Sequence, residues 1–307
     1  MIKKIAKSHK FFCIITIIFF IVLQILVDST CSAQSKKVLV LYSYDNTNPS
    51  YEIQMDGMRS VFDTCDVGLE TRFFDCRRFP YDENVNKFYN DINYVTKYLT
   101  PFDGIIACDD EVFRFVEKYR DSLFRGIPVV YCGVDDSNFA ANLNDSLTTG
   151  FIERIDVADN IKLAQKLIPN LKNIYFISDT TITGVAMSGR FMMFQNIFET
   201  LKFKELNFSK ISYLELKNTL STLPKNSVVF FLTGYVDQNG KHFEYLDMYE
   251  KVSACSSVPV FSVIGEGYNS GFLGGKIILR REQGINSAIM MYDILFNRHK
   301  TISQRIE

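Results

Sequence analysis

Short, unbroken apolar runs recur along this chain, and each is followed by a longer stretch whose apolar residues return every three or four positions. The first run, VLVLY at 38–42, stops at Ser43, Tyr44 and Asp45. It lacks period-2 alternation, so it predicts a strand covered on both faces, the kind found in parallel α/β sheets. A helix over 50–65 follows, with Met55, Met58 and Phe62 at helical spacing and Ser50 as its cap after Pro49. Strands at 67–75 and 102–108 flank a helix at 84–99. The helix opened by Asp109-Asp110 places Val112, Phe115, Val116 and Tyr119 on one face, and a strand at 127–134 closes this first set.

After a polar, turn-rich stretch at 135–146, the alternation begins again at TTGFIERI, 148–155. Asp156 is placed to cap a helix carrying Ala158, Ile161, Ala164, Leu167 and Ile168 and ending at Pro169. Strands at 172–179, 206–213, 226–235 and 258–266 and a helix at 185–201 continue the pattern. GGKIILRREQG, 274–284, reads as a return crossing, and a last helix with Ile285, Ala288, Ile289, Tyr292 and Leu295 on one face would dock back on the first set. Alternating strands and helices of these lengths mean βαβ units and parallel sheets. The predicted fold class is therefore α/β in two lobes, each a parallel sheet flanked by helices, with a cleft between facing strand tips. Residues 36–147 and 280–307 form lobe 1, and 148–279 form lobe 2. A single eight-fold barrel is disfavoured, because about ten irregularly spaced strands do not fit its closure. A closed ring of strands, or a gap filled completely by side chains, would contradict this organisation.

The N-terminus stands apart from this pattern. Lys3, Lys4, Lys7 and Lys10 precede an uncharged stretch from Phe11 to Val27, and Cys31-Ser32-Ala33 forms a small-residue cleavage site before Gln34. That is the shape of an export signal occupying residues 1–33. Its apolar core is also long enough, at the lower limit, to remain as a membrane anchor. Two readings therefore stand, a cleaved signal or an uncleaved anchor. Either places the remaining chain outside the cytoplasm, with membrane contact only through this segment.

Trimming residues 1–33 removes four lysines from 34 basic residues and one aspartate from 35 acidic ones, leaving a net charge of −4. A mildly acidic surface offers no footprint for nucleic acid or anionic lipid. Five cysteines remain, Cys65, Cys76, Cys108, Cys132 and Cys255, an odd number without paired CxxC spacing. This argues against a zinc site and against a disulfide-built scaffold. Cys108 and Cys132 each end an apolar strand, so they could bridge if those strands are neighbours; buried thiols packing as small apolar groups are the commoner arrangement.

The tip of the first strand carries no GxGxxG turn, and neither GxxxxGK[ST] nor GxSxG occurs in the chain. Of the histidines left after trimming, His242 and His299, neither lies at a strand tip of the first set. The chain therefore predicts no catalytic residue, no cofactor and no metal site. The strand tips instead supply polar groups. One of Asp109 and Asp110 is expected to cap its helix while the other faces the cleft, Asp135-Asp136 invites the same pair of roles, and Thr180 and Thr181 follow Asp179 in the second lobe. In parallel α/β sheets, ligands bind beyond the carboxyl ends of the strands.

Four blocks, VLVLYSYDNTNPSYEIQMDGMRSVF, DGIIACDDEVFRFVEKYRDSLFRGIPVVYCGV, TGFIERIDVADNIKLAQKLIPNLKNIYFISDTTITG and GGKIILRREQG, together resemble the ABC transporter substrate-binding protein family, periplasmic binding proteins of the type I fold, over residues 36–297. The resemblance implies a small-molecule ligand, amino-acid-like in some members, held between the lobes, and an ABC permease as partner. It also implies a second role, because relatives serve as extracytoplasmic sensor domains of histidine kinases and diguanylate cyclases, with a cytoplasmic signalling domain as partner. Cleft positions implied by the family fall at Ser43, Tyr44, Asp109, Asp110 and Asp135 in the first lobe, and at Thr180, Thr181, Tyr235, Glu266 and Tyr268 in the second. Family members often carry a small residue where Tyr44 and Tyr235 stand, so the ligand's identity does not transfer. The chain ends at TISQRIE; if Glu307 is the natural terminus, transport is expected, and if the reading frame continues into a spanning helix and a kinase, sensing is.

Overall fold

Nine strands among the described residues form two separate open sheets, ordered β2-β1-β3-β4-β5 and β7-β6-β8-β9. The computed structural model describes residues 35–79, 81–99, 101–143, 145–265 and 270–296. The first sheet holds β1 (Lys36–Tyr42), β2 (Val67–Phe73), β3 (Gly104–Cys108), β4 (Val129–Val134) and β5 (Thr148–Ile152). The second holds β6 (Asn173–Ser178), β7 (Lys202–Asn207), β8 (Ser227–Phe231) and β9 (Val260–Ser262). The pairs β1–β3, β3–β4, β4–β5, β6–β7, β6–β8 and β8–β9 all run parallel. Neither sheet closes into a ring.

Helices cover both faces of each sheet. They are α1 (Pro49–Phe62), α2 (Tyr81–Tyr98), α3 (Asp110–Lys118), α4 (Arg120–Leu123), α5 (Ser137–Ala141), α6 (Val157–Leu167), α7 (Ile182–Met193), α8 (Tyr213–Ser221), α9 (Tyr245–Cys255) and α10 (Arg280–Phe296). The unbroken apolar run of β1 is explained by its two faces. Leu39 and Leu41 enter one core with Phe88, Val112 and Phe115, while Val38, Val40 and Tyr42 enter another with Met58, Phe62 and Met291. The second sheet repeats the plan with its own pair of cores.

Several expected boundaries move. Thr148–Ile152 pairs with β4 in the first sheet, so this strand does not open the second set, and the chain crosses after Ile152. Parallel pairing beside β4 buries Thr148, Thr149 and Gly150, which their polarity in the sequence had concealed. The strand expected at 206–213 lies at Lys202–Asn207 instead: it is an edge strand in which Lys202 and Lys204 are exposed and of which only Leu206 is buried, and so it lacks the apolar run of a central strand. The segment after it turns into α8 through a capping box, in which Ser212 and Glu215 satisfy each other's backbone amides. The helix expected at 185–201 occupies Ile182–Met193, and α9 was not foreseen. The cap of α1 is Asn48, whose side chain accepts from the Ser50 amide, with Pro49 at the first helical position.

The last helix docks on the first sheet beside α1, but on a different face from the one its large residues suggest. Gly284, Ser287, Ala288, Met291 and Leu295 are buried, and Ile289 is exposed. The two helices meet backbone to backbone: a Cβ on Gly57 would lie 2.2 Å from the Arg281 carbonyl oxygen, and one on Gly284 would lie 2.1 Å from that of Gln54. Only glycine fits such a crossing, so small residues rather than large ones select the buried face. No helix among the described residues is long and apolar enough to cross a membrane.

Candidate functional site

Because the strands of each sheet run parallel, their carboxyl ends form one edge, and the two edges face each other. The first edge delivers Tyr44 after β1, Arg77 after β2, Asp109 to Glu111 after β3, Asp135 after β4 and Glu153 after β5. The second delivers Asp179 after β6, Leu232, Thr233 and Tyr235 after β8, and Ile264 after β9. Between them lies an enclosed space of about 20 Å³ lined by residues of both edges, among them Tyr44, Asp109, Asp135, Thr183, Tyr235 and Arg280. That is room for about one water.

A three-layer stack closes this space. The guanidinium carbon of Arg77 lies 3.3 Å from the ring centre of Tyr44 and 3.5 Å from that of Tyr235, so a cation from the first edge is sandwiched between one tyrosine of each edge. No hydrogen bond or ion pair joins Arg77 to another described residue, and its Nε is buried without a partner. Burial holds both tyrosine hydroxyls well above their ordinary pKa, so they remain neutral. On the far side of Arg77 is an outer vestibule of about 260 Å³, which shares Asn48, Arg77 and Tyr235 with the inner space and adds Asp45, Arg78 and Glu244 at its rim. His242 also lies there, exposed.

The acidic cluster after β3 is held in an unusual way. Asp109 has φ +74° and ψ 168°, a backbone region that is nearly exclusive to glycine and costs about 1–3 kcal/mol for other residues. Its side chain makes no capping bond to α3; Ser43 does this instead, accepting from the Val112 amide at 3.0 Å while donating to the Cys108 carbonyl at 3.0 Å. Asp109 is thereby released toward the enclosed space, where its Oδ2 is buried without a hydrogen-bond partner. Gly133, itself at φ +69°, leaves room for it, since a Cβ there would lie 2.8 Å from Asp109 Oδ1. Asp110 accepts from the amides of Asp135 and Asp136, both at 3.0 Å, and so braces the tip of β4. The expectation that one of this pair caps its own helix is therefore corrected. After β4 the division of labour is as expected: Asp136 caps α5 and Asp135 faces the cleft.

Carboxylates outnumber guanidiniums at this junction. Among the described residues Asp109, Asp110, Glu111, Asp135, Glu153 and Asp179 are all buried, and the basic groups near them are Arg77, Arg190 and Arg280. Burial raises Asp109 and Asp135 well above the usual carboxylate range; Arg280 opposes it at Asp109, and at Asp135 Glu153 and Asp110 reinforce it. Asp110 is also raised by burial, against the two amides it accepts from. Glu111 is raised to about 7, by burial first, with Arg77 opposing and Asp110 reinforcing. Arg280 donates to Glu153 at 2.5 Å, and Arg190 of α7 donates to the carbonyls of Asp135 at 2.7 Å and Glu153 at 3.0 Å. Among the described residues, no group of three or more His, Cys, Asp or Glu side chains could hold a metal ion.

Four of the ten expected positions meet in the enclosed space: Tyr44, Asp109, Asp135 and Tyr235. Ser43 and Asp110 lie beside it as braces, although Thr183 Oγ1 of the second edge reaches to 3.5 Å from Asp110 Oδ2. Thr181 caps α7, accepting from the Gly184 amide at 3.0 Å, and Thr180 is exposed with its amide donating to Ser209. Glu266 and Tyr268 lie outside the described residues, as does His299. Sequence reasoning missed Arg77, Glu111, Glu153 and Arg280. Arg77 follows a strand tip like the others and could have been found by the same rule; Glu153 was hidden by the misplaced boundary at 148. Cys108 and Cys132 are paired across β3 and β4 as free buried thiols, with sulfurs 3.6 Å apart.

No protein-family model matches the chain, and no curated protein sequence matches it. Solved structures do. The ABC domain in complex with L-Trp from Streptococcus pneumonia aligns over 89% of this chain and 90% of its own, with TM-score 0.64 and 12% identity. A ligand-free, open substrate-binding protein with adhesive properties from Clostridium difficile covers 89% and 88%, with TM-score 0.61 and 13% identity. The trehalose repressor from Escherichia coli covers 89% and 98%, with TM-score 0.56 and 10% identity. Two parallel sheets flanked by helices, with facing carboxyl edges, define the type I periplasmic-binding-protein fold. At these identities the likeness is one of fold, shared by solute-binding proteins and by LacI-type regulators.

Proposed function

We propose that this protein is an extracytoplasmic solute-binding protein of an ABC-type uptake system, taking one small molecule between two hinged lobes and passing it to a membrane permease unchanged. The observation that carries this reading is the convergence of both carboxyl edges on one enclosed, polar and aromatic space crossed by the chain after Ile152 and again before α10. Such an arrangement favours closure around a guest by hinge motion. The inner space, at about 20 Å³, admits no solute as it stands, so binding requires the lobes to part or Arg77 to leave its stack. The N-terminal segment, with its lysines and uncharged Phe11–Val27 core, supports export over a cytoplasmic regulator's role.

The same segment, if retained as an anchor, favours a second reading, in which the lobes are the ligand-sensing part of a histidine kinase or diguanylate cyclase. Native mass spectrometry of the intact protein, purified gently from its source, tests the shared premise. A stoichiometric small molecule should copurify and be released unaltered on denaturation. Deletion of the gene should then abolish uptake of that molecule. Conversion of the bound molecule to a product would sink the binding reading, and unimpaired uptake with a lost transcriptional or cyclic-nucleotide response would replace transport by sensing.

A further inference from the structure

The stack at Arg77 and the charge imbalance around it point to the chemistry of the guest. Two tyrosine faces at 3.3 and 3.5 Å from one guanidinium are a built receptor for a flat cation. Yet the cation that occupies it is held by no directed bond, although a guanidinium has five donors to offer. Nearby, Asp109, Glu111 and Asp179 each keep one carboxylate oxygen buried and without a hydrogen-bond partner. Buried carboxylates are stable when paired with a cation or hydrogen-bonded. Among the described residues six of them face three guanidiniums, and the Asp109 oxygen lines the space next to the stack. A site for an anion would show the opposite balance.

We propose that Arg77 is a tethered stand-in for the ligand, and that the cleft selects a small organic cation with a flat charged head, such as an amidinium or guanidinium, which displaces Arg77 from between Tyr44 and Tyr235. The entering head brings its positive charge and its N–H donors to the waiting oxygen of Asp109. Arg77 borders both the inner space and the vestibule of about 260 Å³, so its side chain can swing outward toward Asp45 and Glu244 without crossing the fold. This inference rests on the cleft being a solute site and adds the charge and shape of the solute.

The test uses three flat isosteres that differ in charge, benzamidinium, benzamide and benzoate, titrated calorimetrically into the intact protein and into Arg77→Ala. Benzamidinium should bind the native protein at least tenfold more tightly than benzamide, benzoate should not bind, and Arg77→Ala should bind benzamidinium at least tenfold more tightly than native, because the tethered competitor is gone. Arg77→Gln provides the same comparison if the alanine variant does not fold, and Asp109→Asn should weaken benzamidinium at least tenfold. Preferential binding of benzoate or benzamide would overturn the cation assignment while leaving a solute site in place. Loss of benzamidinium binding in a folded Arg77 variant would overturn the stand-in role. Failure of all three probes with both proteins would overturn this proposal, whereas the solute-site reading falls only on the copurification result.

Discussion

Arg280, the first residue of α10, donates to Glu153 across 2.5 Å, joining the two places where the chain passes between the sheets. Glu153 follows β5, and both side chains are nearly sealed, at 2% and 11% exposed. Gln283 also donates to Glu153 at 3.1 Å and accepts from Gln54 of α1 at 2.9 Å. The pair is thus a polar clasp at the crossings, built on the helix that docks to the first sheet.

Glu153→Gln should leave the buried charge of Arg280 without the carboxylate opposite it. The amide oxygen keeps one hydrogen bond, so the cost is about 3 kcal/mol, the lower end for breaking a buried ion pair. For a chain of this size each kcal/mol moves the melting temperature by roughly 2–4 °C, so a fall of roughly 6–12 °C is expected in calorimetry. A shift below about 2 °C would mean that the pair is solvated and contributes little.

Gly57→Ala and Gly284→Ala test the helix crossing. Each added methyl would meet a carbonyl oxygen of the facing helix, at 2.2 and 2.1 Å, and backbone cannot move aside as a flexible side chain can. Overpacking of this kind costs about 1–3 kcal/mol. Both variants should therefore unfold at lower urea concentration with an unchanged slope. Gly126→Ala is a control for space, since nothing lies within 4 Å of its Cβ position, although its φ of +75° adds a small penalty of its own.

The central strands, the alternation and the facing tips were legible in the sequence because parallel strands buried on both faces need unbroken apolar runs, and β1, β3, β4 and β8 have them. The edge strand β7, KFKELN, carries no such run, and neither does β5, whose buried Thr148, Thr149 and Gly150 read as polar. The same limit applied to the site. Tyr44, Asp109, Asp135 and Tyr235 stand beside recognisable strand ends, whereas the partner that fills the stack, Arg77, is defined only by what comes to rest on either side of it. Nor does a sequence reveal that Ser43, and not an aspartate, caps α3. That depends on two strand tips meeting in space.

The stack also makes a prediction about the resting conformation. Tyr235 is the second lobe's half of the sandwich, so Tyr235→Ala removes one of the two faces gripping Arg77. A cation–π contact of this kind is worth about 0.5–2 kcal/mol, which corresponds to a shift of roughly 2- to 30-fold from closed toward open. Small-angle scattering of the ligand-free variant should show a larger radius of gyration than the native protein, and Tyr235→Phe, which keeps the ring, should not. Equal radii for all three would remove the stack from the forces that close the lobes.

Glu111 gives the protein an unusual dependence on pH. In an unfolded chain it titrates near 4.5, and in the folded protein burial raises it to about 7 despite the opposing charge of Arg77. The other acids acting on it are Asp110 and Asp179. Between these two values the folded state holds a proton that the unfolded chain has lost, so stability falls as pH rises through that window and levels off above it. Asp109, Asp110 and Asp135 are shifted in the same direction and add to the fall. Carboxylates whose pKa is lowered, such as Asp145 with its bonds from Leu147 and Thr148, act only below the ordinary range and leave this window untouched. The contribution of Glu111 is bounded by the width of its shift, on the order of 3 kcal/mol. Urea unfolding at pH 5, 6, 7 and 8 should therefore show the native protein most stable at the acid end of the series, and Glu111→Gln should flatten the profile. A native protein that gains stability between pH 5 and 7 would mean that these carboxylates are ionised and compensated in the resting fold.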